Sequence, residues 1–260
     1  MKQQNRKMKF GAIKYTVLSV LWGIMMSSNA DQNKFLLIAD PQILAIPIID
    51  NHERMIDLKN QHEIAYGPSP EIPNNTDYTK LRKIVYEKLA QAQALLPQGL
   101  HFRLYEGYRS LQLQEMLFDT RYAKIKTQHP SWSHQQLFHE TTKLVSPVVN
   151  LDSSKNIPPH STGGAIDVYL INKKGEAVDM GIHPKDWMND LHGTLSLTNS
   201  NVISKEAKRY RHIMSNVLRQ VGFVNYPTEY WHWSYGDRYW AYYHHKPHAI
   251  YSSYTATENK

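Results

Sequence analysis

The sequence predicts an α+β fold: a small, largely antiparallel sheet with flanking helices in a single domain. Apolar residues recur at spacings of three and four in three long windows, 78–96, 111–128 and 204–221, as amphipathic helices require. Short runs of strand character, above all 165–171, lie between and after them. No internal repeat and no linker divides the chain, so the helices share one sheet and one core.

Each element follows from its residues. Residues 31–77 are rich in Pro, Asn and Asp, with short apolar runs at 35–38 and 43–49, and read as an extended N-terminal wrap. Leu81, Ile84, Val85, Leu89, Ala92 and Leu96 give 78–96 its helical spacing, and Pro97 and Gly99 end it. Residues 101–105 alternate as a strand, Gly107 breaks it, and 111–128 resume the helical period. Ser133 caps a further short helix to Lys143. A polar, proline-containing loop, 146–162, leads to 165–171, apolar enough for a central strand, and Asn172-Lys173-Lys174-Gly175 turns the chain. Residues 176–204 are irregular. Ser204 begins a helix carrying Ala207, Tyr210, Met214, Val217 and Leu218, which Gly222 closes. Residues 223–226 and 230–235 read as two strands, followed by a His-rich aromatic tail.

Composition narrows the chemistry. The 260 residues include 30 Lys+Arg, 23 Asp+Glu and 14 His, and no Cys. Disulfide scaffolds, Cys-ligated zinc, iron–sulfur clusters and cysteine nucleophiles are thereby excluded, and any metal must be held by His, Asp or Glu. At 41% hydrophobic and 11% aromatic the chain carries too much apolar surface for a solvated coil.

Lys2, Arg6, Lys7, Lys9 and Lys14 form a basic start, an apolar run follows, and Ser28-Asn29-Ala30 offers small residues before a cut after Ala30. This is the three-part pattern of a secretory signal peptide. The other reading, an uncleaved anchor, needs an apolar run of about 20 residues, longer than the one present. The expected organisation is therefore a signal peptide at 1–30 and one catalytic domain at 31–260, periplasmic or secreted, with no membrane span after cleavage. Residues 1–30 hold five basic and no acidic side chains, so 25 basic and 23 acidic remain. The basic excess belongs to the leader and is no nucleic-acid footprint.

Gly-x-Ser-x-Gly, Walker A, Gly-x-Gly-x-x-Gly and His-Glu-x-x-His are all absent. What remains is dispersed. His160-Ser-Thr-Gly-Gly-Ala-Ile-Asp167 sets an imidazole on a loop and a carboxylate on the next strand, and Gly163 and Gly164 let backbone pass close between them. Glu229-Tyr-Trp-His232 supplies a second pair. An offset of three in a regular strand points to opposite faces, so Glu229 and His232 share a site only if the chain bends, and Pro227 favours a bend. Two His and one Asp would make a three-ligand zinc site with a position open for water, leaving Glu229 as general base. The same residues also suit a packed core histidine, a turn-capping aspartate and a plain hairpin.

His160-x-x-Gly163-x-Ala165-x-Asp167 followed by Glu229-x-x-His232 resembles the zinc peptidases of the VanX-type D-alanyl-D-alanine dipeptidase family. Tyr105-Glu106-Gly107-Tyr108-Arg109-Ser110 is similar to that family's arginine motif, and the resemblance covers about residues 50–243. It implies one zinc ion per chain bound by His160, Asp167 and His232. It further implies Glu229 as the base for the metal-bound water and Arg109 as the stabiliser of the oxyanion. Three positions depart from the family pattern: Asn60 where a Tyr is expected, Pro158 where a Ser is expected, and Lys185 where an Asp is expected. All three bear on substrate recognition.

His183, His192, His244, His245 and His248 invite a second metal site but suit solvated side chains better. The aromatic stripe from Tyr226 to Trp240 suits core and cross-strand packing better than glycan stacking. The expected protein is a monomeric zinc metallopeptidase that cleaves D-Ala-D-Ala or a similar short cell-wall peptide. Its rivals are a D,D- or L,D-carboxypeptidase acting on peptidoglycan stem peptides and a non-catalytic cell-wall binding protein.

Overall fold

A computed structural model describes residues 35–254, and the expected signal peptide lies outside the described residues. In chain order the elements are α1 (Pro41–Leu44), β1 (Met55–Asp57), β2 (Ala65–Tyr66), β3 (Lys80–Arg82), α2 (Lys83–Ala94), β4 (His101–Glu106), α3 (Leu111–Gln128) and α4 (His134–Thr142). They continue with β5 (Ala165–Ile171), α5 (Lys205–Gln220), β6 (Val224–Asn225), β7 (His232–Ser234) and α6 (Arg238–Tyr243). Short 3-10 turns occupy Leu58–Asn60, Pro159–Thr162 and Pro184–Asn189.

Five strands form one sheet in the order β2-β4-β5-β7-β6, and β1 pairs with β3 in a separate ribbon. Only the β2–β4 pairing is parallel; β4–β5, β5–β7 and β7–β6 are antiparallel. The α+β class with a largely antiparallel sheet therefore holds. β5 is buried along its whole length. By the two-residue period of a strand, Ile166, Val168 and Leu170 share one face. Phe102, Leu104 and Trp233, their partners on β4 and β7, join them in one apolar core with Val85 and Leu89 of α2 and Met214 and Leu218 of α5. Each fully buried side chain of this size stabilises the fold by about 1.5–3 kcal/mol. The other face of β5 is left for polar chemistry.

Ser133 and Ser204 start their helices as expected, accepting from the amides of Gln136 (3.3 Å) and Ala207 (3.0 Å), and Ser110, which the sequence reading did not single out as a cap, accepts from Leu113 N (3.2 Å). The start of α2 differs from expectation. Residues 80–82 form β3, because the backbone there is engaged sideways: the Thr79 carbonyl accepts from Leu58 N (3.0 Å) and the Tyr78 carbonyl from Gly107 N (2.6 Å). Carbonyls spent on neighbours cannot also carry a helical ladder. The N-terminal wrap is more structured than expected, contributing α1, β1 and the sheet-edge strand β2. The tail forms α6, capped where Trp240 N donates to Asp237 Oδ1 (2.8 Å). Among the described residues no helix is long and apolar enough to cross a membrane.

Candidate metal centre and its cleft

Strand register sets the site. On the polar face of the sheet, Glu106 of β4 pairs with Asp167 of β5, and Asp167 pairs with His232 of β7, so three ionisable side chains stand in a row across the central strands. A bulge between Leu104 and Glu106 makes this possible, since one extra residue in β4 shifts Glu106 opposite Asp167.

His160 arrives from the side, in the 3-10 turn Pro159–Thr162 that precedes β5. Its Nδ1 is 2.7 Å from the Gly107 carbonyl. A carbonyl only accepts, so Nδ1 carries the proton and Nε2 is left with a free lone pair. Gly107 must be glycine, because a Cβ there would lie 2.7 Å from the Lys80 carbonyl oxygen. Gly164 is equally constrained, its Cβ falling 2.4 Å from the Tyr235 carbonyl oxygen. Arg82 fixes the turn from behind: its Nε donates to the Thr162 carbonyl (2.8 Å) and its amide to the Gly163 carbonyl (2.9 Å).

The bend that Pro227 favours is present. Glu229 N donates to the Tyr226 carbonyl (3.0 Å) and His232 N to the Glu229 carbonyl (3.1 Å), two successive turns that bring both side chains into one cleft. Asn225, which sequence reasoning missed, holds these turns. Its Nδ2 donates to the carbonyls of Glu229 (3.1 Å) and His232 (3.0 Å), and its Oδ1 accepts from Thr198 Oγ1 (2.6 Å). The irregular stretch 176–204 thus acquires a place: Thr198 N donates to the Pro227 carbonyl (2.9 Å) and Tyr230 N to the Ser196 carbonyl (2.9 Å), which backs the bend.

His160 Nε2 lies 3.1 Å from His232 Nδ1 and 3.3 Å from Asp167 Oδ2, and His232 Nδ1 lies 3.1 Å from Asp167 Oδ1. Donors around a tetrahedral zinc at about 2.0–2.1 Å are roughly 3.3 Å apart, so the buried trio has the spacing and the N/O chemistry to hold such an ion. Among the described residues it is the group of His, Asp and Glu with that geometry. Burial lowers the proton affinity of His232, which favours the neutral, ligating imidazole. Burial works against the Asp167 charge, but the closeness of the two imidazoles, His160 and His232, holds its carboxyl well below the usual range.

Glu229 Oε2 is 3.8 Å from His232 Nδ1. Burial first, and then the Asp167 charge, push the Glu229 carboxyl well above its ordinary value. Arg109 is buried beside them. Its Nε donates to Glu106 Oε1 (3.1 Å), its Nη2 to Glu106 Oε2, and its Nη1 to Gln114 Oε1 (2.9 Å). Three of its five N–H donors are thus spent on orientation, and two remain for a ligand. Burial opposes its charge, but Glu106 more than compensates and raises its pKa. All five expected residues line one cleft, together with Glu71, Tyr105, Gln114 and Trp187.

The Peptidase_M15 family model, described as D-Ala-D-Ala dipeptidase, matches residues 74–251, a span that includes the metal trio, Glu229 and Arg109. The chain belongs to this family. It is a metallopeptidase, and it is 26% identical to a D-alanyl-D-alanine dipeptidase of Synechocystis sp. over 227 residues, 79% of this chain and 91% of that relative. Two solved structures align more distantly. VanYB in complex with D-alanine-D-alanine is 15% identical with a TM-score of 0.37, over 76% of this chain and 92% of that one. The LdcB LD-carboxypeptidase is 14% identical with a TM-score of 0.33, over 72% and 71%.

In this M15 peptidase, Asn60, Pro158 and Lys185 all lie outside the residues that line the cleft. Of the other histidines, His192 and His245 are exposed, and His183 and His244 serve packing and capping. His183 Nδ1 accepts from Lys185 N (3.1 Å) and its ring meets Tyr169 edge-on at 4.5 Å, while His244 lies against Trp240 at 5.2 Å. Tyr226, Tyr230, Trp231, Trp233, Tyr239 and Trp240 are buried, as core aromatics. Glu71 and Asn225 carried no sequence signal: one sits in an aperiodic Pro- and Asn-rich stretch, the other in a two-residue strand.

Proposed function

We propose that this M15 peptidase hydrolyses D-alanyl-D-alanine or a closely similar short cell-wall peptide, with one zinc ion held by His160 Nε2, Asp167 and His232 Nδ1. The observation that carries the proposal is the convergence of those three donors at 3.1–3.3 Å, with Glu229 3.8 Å from His232 Nδ1 in the same cleft. When bound there, zinc polarises the scissile carbonyl and lowers the pKa of a coordinated water.

The chain's own groups do the rest. Glu229 takes the proton from the attacking water at its carboxylate and passes it to the leaving amine nitrogen; its raised proton affinity suits a group that must carry a proton between the two. The two uncommitted N–H groups of Arg109 donate to the oxygen that becomes negative as the carbonyl carbon turns tetrahedral. The Glu106 and Gln114 contacts hold the guanidinium in place, so little reorganisation is needed at the moment of reaction. All of these groups come from one chain, so the site needs no residue from a second copy. The basic and apolar pattern of residues 1–30 supports export to the periplasm or beyond, and a role in cell-wall peptide turnover.

The test is an assay of the purified mature chain, its zinc quantified, on free D-Ala-D-Ala beside a pentapeptide ending in D-Ala-D-Ala. One zinc per chain and release of D-Ala from the dipeptide alone is the expected result. Cleavage of the pentapeptide alone would replace the dipeptidase with a carboxypeptidase, and zinc without turnover of either would overturn the substrate assignment.

A further inference from the structure

Glu71 is the group in the cleft that the chemistry above leaves unused. It lines the cleft with Tyr105, Arg109, Trp187 and Glu229. The Trp187 indole hydrogen-bonds to its carboxylate, yet Oε1 is buried with no hydrogen-bond partner. Arg109 is the cation whose field reaches it, and Arg109 is already tied to Glu106 and Gln114. Burial and the Glu106 charge push the Glu71 carboxyl up to about 7, more than the field of Arg109 and the Trp187 hydrogen bond offset. A buried acceptor left unsatisfied is costly, and a ligand that brings a cation offsets that cost.

We propose that Glu71 is a cation subsite that takes a primary ammonium of the peptide substrate. The proposal rests on the peptidase function above and names what a substrate must carry besides its scissile bond. Short peptides supply this chemistry from two sources. One is the free α-ammonium of a dipeptide, which lies roughly 2.5 Å from the scissile carbonyl carbon by standard bond lengths. The other is the side-chain ammonium of a basic residue upstream in a longer peptide. An acylated peptide without a side-chain amine offers neither, and placing its apolar cap near Oε1 leaves the carboxylate buried and unpaired.

The experiment is calorimetric titration at about pH 8, where the carboxylate is ionised. It uses the zinc-loaded mature chain carrying Glu229→Gln to suppress turnover, with and without Glu71→Gln. Three probes are compared: D-Ala-D-Ala, N-acetyl-D-Ala-D-Ala, and Nα-acetyl-L-Lys-D-Ala-D-Ala, whose only amine is on the side chain. Glu71→Gln is expected to weaken an ammonium-bearing probe about tenfold or more and to leave the N-acetyl dipeptide unchanged. Glu71→Asp, which keeps the charge, is expected to restore part of the difference and guards against a folding defect. If the free dipeptide loses affinity, Glu71 reads the α-ammonium. If only the lysyl peptide does, the subsite stands and reads a side-chain ammonium upstream of the scissile bond. Equal losses on all three probes, or none while D-Ala-D-Ala still binds, would overturn the subsite and leave the dipeptidase function standing; no binding of any probe would overturn both.

Discussion

Asp167 and His232 face each other directly across β5 and β7, and Asp167 Oδ1 meets His232 Nδ1 at 3.1 Å. Two of the three candidate ligands are thus placed by backbone pairing, so the sheet itself sets their separation. Removing one of them should remove the metal. His232→Ala is expected to lose bound zinc and, with it, the stabilisation that metal binding contributes, about 2.7 kcal/mol when free zinc is a hundredfold above its Kd. Elemental analysis and thermal unfolding with and without a chelator check this. The chelator should lower the Tm of the parent and leave the variant unmoved.

In the proposed mechanism Glu229 contributes a proton path and no ligand atom. Glu229→Gln should keep one zinc per chain and lose kcat by about 10²–10⁴-fold. Turnover measured alongside metal content decides the matter, and retained activity would assign the base elsewhere.

Asn225 grips two carbonyls that the bend turns inward. Asn225→Asp keeps the shape, removes both donors and sets oxygen against oxygen. The expected cost is about 1–3 kcal/mol per orphaned carbonyl, read as a lower urea midpoint, together with a fall in kcat because Glu229 and His232 lose their shared anchor.

Gly107 is hemmed in by backbone: an added Cβ meets the Lys80 carbonyl oxygen at 2.7 Å and the Tyr78 carbonyl oxygen at 2.9 Å. Neither is the flexible end of a side chain. Gly107→Ala should therefore destabilise the fold by about 1–3 kcal/mol. It should also weaken zinc binding, since the Gly107 carbonyl is what orients His160. Urea unfolding and a zinc competition titration report the two effects separately.

What the sequence made legible was whatever has a period or a motif. β5, α3 and α5 follow from apolar spacing, α4 from its serine cap, and His160, Asp167, Glu229, His232 and Arg109 from motif order. Their meeting in one cleft depends on two irregularities, the bulge beside Tyr105 and the turns after Asn225, and an irregularity leaves no periodic trace. The start of α2 was misplaced for a related reason. Leu81 and Val85 fit a helical spacing whether or not the backbone before Lys83 is helical, and the lateral bonds of 78–82 to residues far along the chain decided it. Glu71 was illegible because its place in the cleft comes from the wrap's path, which its neighbours in sequence do not encode.

Arg82 joins distant parts of the chain at the His160 turn. Besides Thr162 and Gly163, it donates to the carbonyls of Glu53 and Ser252 (3.2 Å for Ser252), and its guanidinium lies over the Tyr251 ring. The turn that carries the candidate ligand His160 is therefore buttressed by stretches far before and far after it in the sequence. On a chain made from its N-terminus, His160 and Asp167 are synthesised well before His232, and the Ser252 buttress later still. Full support of the His160 turn thus waits on residues near 252, and a product clipped or terminated before them would hold most of the fold while its histidine turn stood without that support.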